Sequence, residues 1–196
     1  MNLENMVRDI WYGDIPNDRI ENLKSKLKDV TTEKESFLLI NKLLKLGDFS
    51  VKGLLIQLMN STQDEVILNL CTRLFCSIAT HDDYYERSIE ELGEIYFELV
   101  KNCDATKYYY HNDLSFSGDL VKKLIPRVMV SLRDKKTFDM VTIPSILSIW
   151  SGIKSPVQYG AIITDEKYRE LMLYIDSLTK KEWKIGEKYF YGHLVV

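Results

Sequence analysis

The chain has 196 residues, 45% of them apolar and 28% charged, with 29 acidic against 26 basic side chains and a net charge of −3. That composition excludes a disordered chain, and an acidic total argues against a general binder of nucleic acid. Four prolines and nine glycines are too few turn-formers for an all-β fold, and the longest nearly apolar stretch, 37–44, is too short to span a membrane.

The N-terminal stretch MNLENMVRDIWYGD has neither a basic head nor an apolar run of signal-peptide length, so the expectation is a cytoplasmic protein without a membrane association. Asn17 is placed to cap a helix over about 18–28, with Ile20, Leu23 and Leu27 on one face. Thr32-Glu-Lys-Glu35 has capping-box spacing and opens a helix through Phe37, Leu38, Ile40, Leu43 and Leu44 that stops at Gly47. A shorter helix is predicted over about 50–59. Thr62-Gln-Asp-Glu65 repeats the box and starts the most apolar segment, EVILNLCTRLFCSIA, which ends near Thr80.

A further helix is predicted over 84–101, followed by the Tyr-rich connection NCDATKYYYHNDLSFSGD. The next spans about 118–133, where Pro126 should kink or break it. Pro144 fits the first turn of a helix over 143–152. Thr164 caps another over 165–180, with Tyr168, Leu171, Met172, Ile175 and Leu178 as its inner face. The tail KYFYGHLVV reads as one extended segment or a small hairpin. The sum is an all-α chain, an antiparallel helical bundle or a short HEAT-like solenoid, without a fixed-period repeat and without a linker that would split 1–196 into two domains.

Catalytic motifs are missing. His81-Asp82-Asp83 has the look of a helical metal-dependent phosphohydrolase, but such a site needs an upstream histidine, and none precedes His81. Cys71, Cys76, His81, Cys103 and His111 lack the two close pairs of a structural zinc site; the three cysteines read as thiols in a reducing compartment. Neither a Gly-x-Ser-x-Gly elbow nor a phosphate-cradling glycine loop occurs. The expectation is no enzyme, no metal and no cofactor.

Charge is distributed unevenly. From Asp82 to Asp104 eight acidic residues face two basic ones, a local −6, whereas 119–136 carries six basic residues against two acidic, a local +4. Glu86, Glu90, Glu94 and Glu98 recur at a strict four-residue spacing. On an ideal helix with Ile89 at 0°, Tyr85, Leu92, Tyr96, Leu99 and Val100 fall between about −80° and +20°, and these glutamates with Glu91 fall between about 60° and 200°. Each like-charge pair costs about 0.2–0.5 kcal/mol, against about 1.5–3 kcal/mol for burying one leucine, so the helix tolerates the row. Two readings stand. The row is a solvated face, paired with Lys122 and Lys123, or it docks a basic protein. In the second, Asp82, Asp83, Glu86, Glu90, Glu91, Glu94 and Glu98 steer the partner, and Tyr84, Phe97, Tyr108, Tyr109 and Tyr110 anchor it.

A small, acidic, all-helical chain carrying RLFCSIATHDDYYERSIEEL and no catalytic equipment resembles the helical immunity proteins of bacterial contact-dependent growth inhibition and other polymorphic toxin systems. The resemblance implies a cytoplasmic protein that binds one cognate toxin domain, in many such systems a nuclease, and blocks its active site or substrate surface. It transfers no binding residue position by position; the acidic row is an inference from charge. The competing reading is a helical-repeat scaffold or adaptor for a different basic partner.

Overall fold

Apolar spacing of three and four residues does produce helices, and their ends follow local chemistry more closely than their middles. The computed structural model describes residues 5–6, 9–10, 13–80, 117–135, 137–158 and 161–195, with short helical pieces at 5–6 and 9–10. In chain order come α1 (Ile20–Asp29), α2 (Glu33–Lys45), a 3-10 turn (Phe49–Val51), α3 (Lys52–Ser61) and α4 (Glu65–Ile78). Beyond residue 116 follow α5 (Ser117–Arg133), α6 (Thr137–Ser151), α7 (Asp165–Thr179) and the strands β1 (Tyr189–Phe190) and β2 (His193–Leu194). The all-α expectation holds, and the tail is a hairpin. The helix predicted over 84–101 lies outside the described residues.

Helix α1 starts later than the sequence suggested. Arg19 is still extended (ψ 141°) and makes no side-chain cap, so Asn17 is two residues too early to reach the helix amides; its neighbour Asp18 instead pairs with Lys42 at 3.7 Å. Helix α2 begins as expected, with the Thr32 hydroxyl accepting from the Glu35 amide at 3.2 Å and donating to its carboxylate at 2.9 Å. It ends in a Schellman turn: Gly47 (φ 82°) donates to the Leu44 carbonyl and Asp48 to the Leu43 carbonyl, both at 3.0 Å. At α4 the cap is Asp64, which accepts from Val66 at 2.8 Å and Ile67 at 3.4 Å. Thr62 is therefore not the cap. Its hydroxyl is taken by Glu33 of α2 (2.6 Å) and by the Asp64 amide (3.1 Å).

Pro144 departs from expectation, and Pro126 lies within its helix. Helix α5 runs through Pro126 without a break; the side chain is exposed, and its missing N–H leaves one carbonyl a turn earlier without its helical donor. Helix α6 starts six residues before the predicted 143, leaving Pro144 in its interior. Tertiary burial outweighs the local rule there. Residues 143–151 are all buried, which makes α6 a central helix, apolar all round. Ser145 donates back to the Val141 carbonyl at 2.6 Å, and the Pro144 carbonyl accepts from the Tyr174 hydroxyl at 3.2 Å.

Thr164 caps α7 through the Lys167 amide at 3.2 Å, as predicted. Its inner face is Leu171, Tyr174, Ile175 and Leu178, with Tyr168 partly buried; Met172 is 44% exposed, and Tyr174 takes the place assigned to it. The hairpin pairs Tyr189 with Leu194 and Phe190 with His193. Its two-residue turn, Tyr191 (φ 49°) and Gly192 (φ 86°), is the positive-φ pair that matches strand twist. That turn covers the end of α6, with Tyr191 N donating to Ile149 O (2.6 Å) and Gly192 N to Trp150 O (2.9 Å). One cluster of buried apolar side chains extends from Met6 to Val195.

Candidate functional site

All twelve residues singled out for partner binding, Asp82, Asp83, Tyr84, Glu86, Glu90, Glu91, Glu94, Phe97, Glu98, Tyr108, Tyr109 and Tyr110, lie in 81–116, outside the described residues. What the structure defines is the frame around that segment. Helix α4 delivers the chain to Ala79, an extended C-cap (ψ 133°) whose amide bonds the Phe75 carbonyl. Its carbonyl accepts from the Lys188 ammonium at 2.6 Å, a contact between residues 109 positions apart. Lys188 is 2% exposed. A cation against a helix C-terminus also meets the negative end of the helix dipole. On the far side, the Gly118 amide donates to the Glu187 carbonyl at 3.1 Å. A Cβ at Gly118 would collide with the Lys184 carbonyl, so only glycine permits this approach. The turn that makes both contacts is itself braced. The Tyr189 hydroxyl accepts from the Lys184 amide (3.3 Å) and donates to Glu187 (3.0 Å), and the Tyr189 ring stands edge-on to Trp183 at 5.2 Å.

A second buried cation ties the ends of the chain to α2. Lys45 is 1% exposed; its ammonium donates to the Asp9 carbonyl (2.7 Å), pairs with the Asp9 carboxylate (3.2 Å) and lies 4.9 Å from the centre of the Tyr191 ring. Burial pushes its pKa below the usual lysine range, and the Asp9 charge opposes that shift without cancelling it. Asn41 donates to Asp9 at 2.7 Å, and the Tyr191 hydroxyl to the Ile10 carbonyl at 2.8 Å. Sequence reasoning passed over this cluster, although a signal existed: Asn41 and Lys45 follow the buried Phe37 at one and two turns, on the rim of its face.

Among the described residues, nine acidic side chains of the frame are paired with basic ones. Asp9, Asp14, Asp18, Asp48, Asp134, Asp139, Glu170, Asp176 and Glu187 each lie within 4.0 Å of a lysine or arginine nitrogen. Arg127 holds Asp139 through two nitrogens, at 3.0 and 2.8 Å. Lys122 and Lys123 are exposed on α5 and have no partner among the described residues.

The model of a family described as Immunity protein 47 matches residues 6–88 and 84–195. The chain belongs to the immunity protein 47 family. Members of an immunity family bind a cognate toxin and neutralise it, and the resemblance to polymorphic-toxin immunity proteins stands. No curated protein and no solved structure matches the chain.

For an immunity protein 47 family member the remaining features of the frame read as structural. Among the described residues no group of three histidine, cysteine or acidic side chains is arranged to hold a metal, and no helix is long and apolar enough to cross a membrane. Cys71 is buried, and desolvation pushes its thiol up to about 12, far from a nucleophile's range. A surface depression of about 550 Å³ lies between α1 and α2, with Val30, Leu38 and Leu39 among its lining and Lys26, Glu35, Lys42 and Asp9 around them. Its charges are mixed, so it has no field of one sign.

Proposed function

We propose that this immunity protein acts in the cytoplasm as one all-α domain and neutralises a basic toxin domain, a nuclease, by docking the acidic stretch 82–98 against it. The observation that supports this is the contrast in charge. Eight acidic residues face two basic ones between Asp82 and Asp104, whereas residues 119–136 carry six basic residues against two acidic ones. A nuclease carries its positive charge where it meets phosphates. An acidic row complements that surface and accelerates encounter. Tyr84, Phe97, Tyr108, Tyr109 and Tyr110 supply the aromatic anchors that slow dissociation.

The test is the double reversal Glu90→Lys and Glu94→Lys, assayed against the cognate toxin domain by stopped-flow association at several salt concentrations. Association at low salt is expected to fall by about tenfold or more and to become less salt-dependent, with the circular dichroism spectrum retained. Unchanged affinity would retire the acidic row as the docking surface.

A further inference from the structure

Helices α5 and α7 lie side by side and run in opposite directions. The Tyr168 hydroxyl, near the start of α7, donates to the Leu132 carbonyl near the end of α5 at 3.3 Å. At the other end the Gly118 amide, at the start of α5, donates to the Glu187 carbonyl, beyond the end of α7, at 3.1 Å. A Cβ on Gly118 would point straight at the Lys184 carbonyl, which fixes the flank of α5 that α7 approaches. Met129 lies three turns beyond Gly118 on that flank, and Met172 lies one turn beyond Tyr168 on the matching flank of α7. Val130 and Leu173 follow about 100° further round, facing away from the core. All four are exposed, from 43% at Val130 to 72% at Leu173. Large apolar side chains gathered on one surface mark a contact site, and methionine adapts its shape to what it meets.

The charges around the two methionines mirror one another with opposite sign. Seven residues before and four after Met129 stand Lys122 and Arg133; seven before and four after Met172 stand Asp165 and Asp176. Both offsets return to within about 40° of the methionine, and all four charged side chains are exposed. Lys122 and Asp165 join no ion pair among the described residues. Arg133 and Asp176 hold only local pairs, with Asp134 and Lys180, of the exposed kind that is worth little. We propose that this face binds a second copy of the chain about a twofold axis along the helices, so that α5 of each copy lies on α7 of the other. Met129 of one copy then meets Met172 of the other, Lys122 comes to Asp176 and Arg133 to Asp165, and the symmetry makes each pair twice. A twofold across the helices would instead lay α5 on α5 and set these cations against one another. The face measures about 20 by 25 Å, the size of a transient interface and not of a permanent one, so the dissociation constant is on the order of micromolar.

The experiment is sedimentation velocity on the unmodified chain, without toxin, between about 1 and 200 µM. The expected result is a shift from monomer to dimer across that range, reversed by raised salt. Leu173→Asp is expected to weaken the dimer about tenfold or more. Lys122→Asp and Asp176→Lys are each expected to weaken it about tenfold, and the double variant, which restores opposite charges, to recover it. All three positions are exposed, so the circular dichroism spectrum is retained in every variant. A chain that stays monomeric throughout overturns the proposal, and toxin binding lost in Leu173→Asp would then give the face to the toxin instead. A dimer indifferent to Leu173→Asp, or a double variant as weak as the two singles, overturns it as well.

Discussion

Replacing Tyr191 by phenylalanine removes one oxygen and leaves the ring, so its consequence follows from a short set of contacts. The hydroxyl donates to the Ile10 carbonyl at 2.8 Å, a buried bond between residues 181 positions apart, and lies 3.4 Å from the Asp9 carbonyl. Asp9 keeps the Gly13 amide at 2.9 Å and the Lys45 ammonium at 2.7 Å. Ile10 has no other donor among the described residues, so its carbonyl is the group left unsatisfied. An orphaned buried acceptor costs about 1–3 kcal/mol. The ring's contacts with Lys45 and, edge-on at 5.0 Å, with Phe190 survive, so no cavity cost is added. The expected loss is about 2 kcal/mol in urea unfolding, or roughly 4–8 °C in Tm for a chain of this size.

Alkaline titration gives a second readout on the same variant. Burial, then the charges of Asp9 and Asp14, raise the Tyr191 hydroxyl above the ordinary tyrosine value of 10.0. An acid raised on folding contributes stability that is complete below about pH 10 and is lost above it, because the unfolded tyrosine ionises first. Tyr191→Phe should therefore lose less stability than wild type as pH passes 10. A change under about 0.5 kcal/mol with an unaltered alkaline limb would refute the reasoning that this hydroxyl joins the hairpin to the N-terminal segment.

Lys45→Met is expected to cost about 2 kcal/mol, since Asp9 loses its cation but keeps Asn41 and some solvent. Because the Lys45 pKa is depressed on folding, the unfolded chain binds more protons in the window just below 10.5, and wild-type stability gains from this group as pH rises there; pH-dependent denaturation should show that gain abolished in the variant. Asp64→Ala should cost about 1 kcal/mol and Asp64→Asn only a few tenths, because asparagine also accepts from the first-turn amides; equal costs would show charge, and not capping, at work. Cys71, buried with its thiol raised to about 12, should resist iodoacetamide at pH 8 until the protein unfolds, as read by peptide mass spectrometry.

Much of this molecule is written in short-range pattern. The caps at Thr32 and Thr164, the stop at Gly47 and the inner faces of α1 and α2 depend on residues within a turn of one another, so local chemistry suffices to find them. The charge contrast between 82–104 and 119–136 is likewise a property of the chain, and it led to the immunity reading that family membership supports. The misses share one cause. Pro144 was placed at a helix start because that is where an isolated helix tolerates it, yet α6 continues around it, buried on all sides. Thr62 has a capping-box sequence, but Glu33 of another helix takes its hydroxyl. Tyr174 turns inward instead of Met172 because a carbonyl thirty residues away accepts its hydroxyl.

Only the tertiary structure decided the fate of the buried cations. Nothing within a turn of Lys188 announces that it is inside, and Lys45 shows only its helical spacing from Phe37 on the rim of an apolar face. Their partners are main-chain carbonyls 36 and 109 positions away, which reach an ammonium only after helices and hairpin have packed. Sequence pattern determines which faces are apolar and where helices begin, because those preferences act over a few residues. Which distant carbonyl receives which lysine, and so where the acidic segment leaves and rejoins the frame, is a matter of packing. A buried charge survives only where the assembled fold brings it an acceptor.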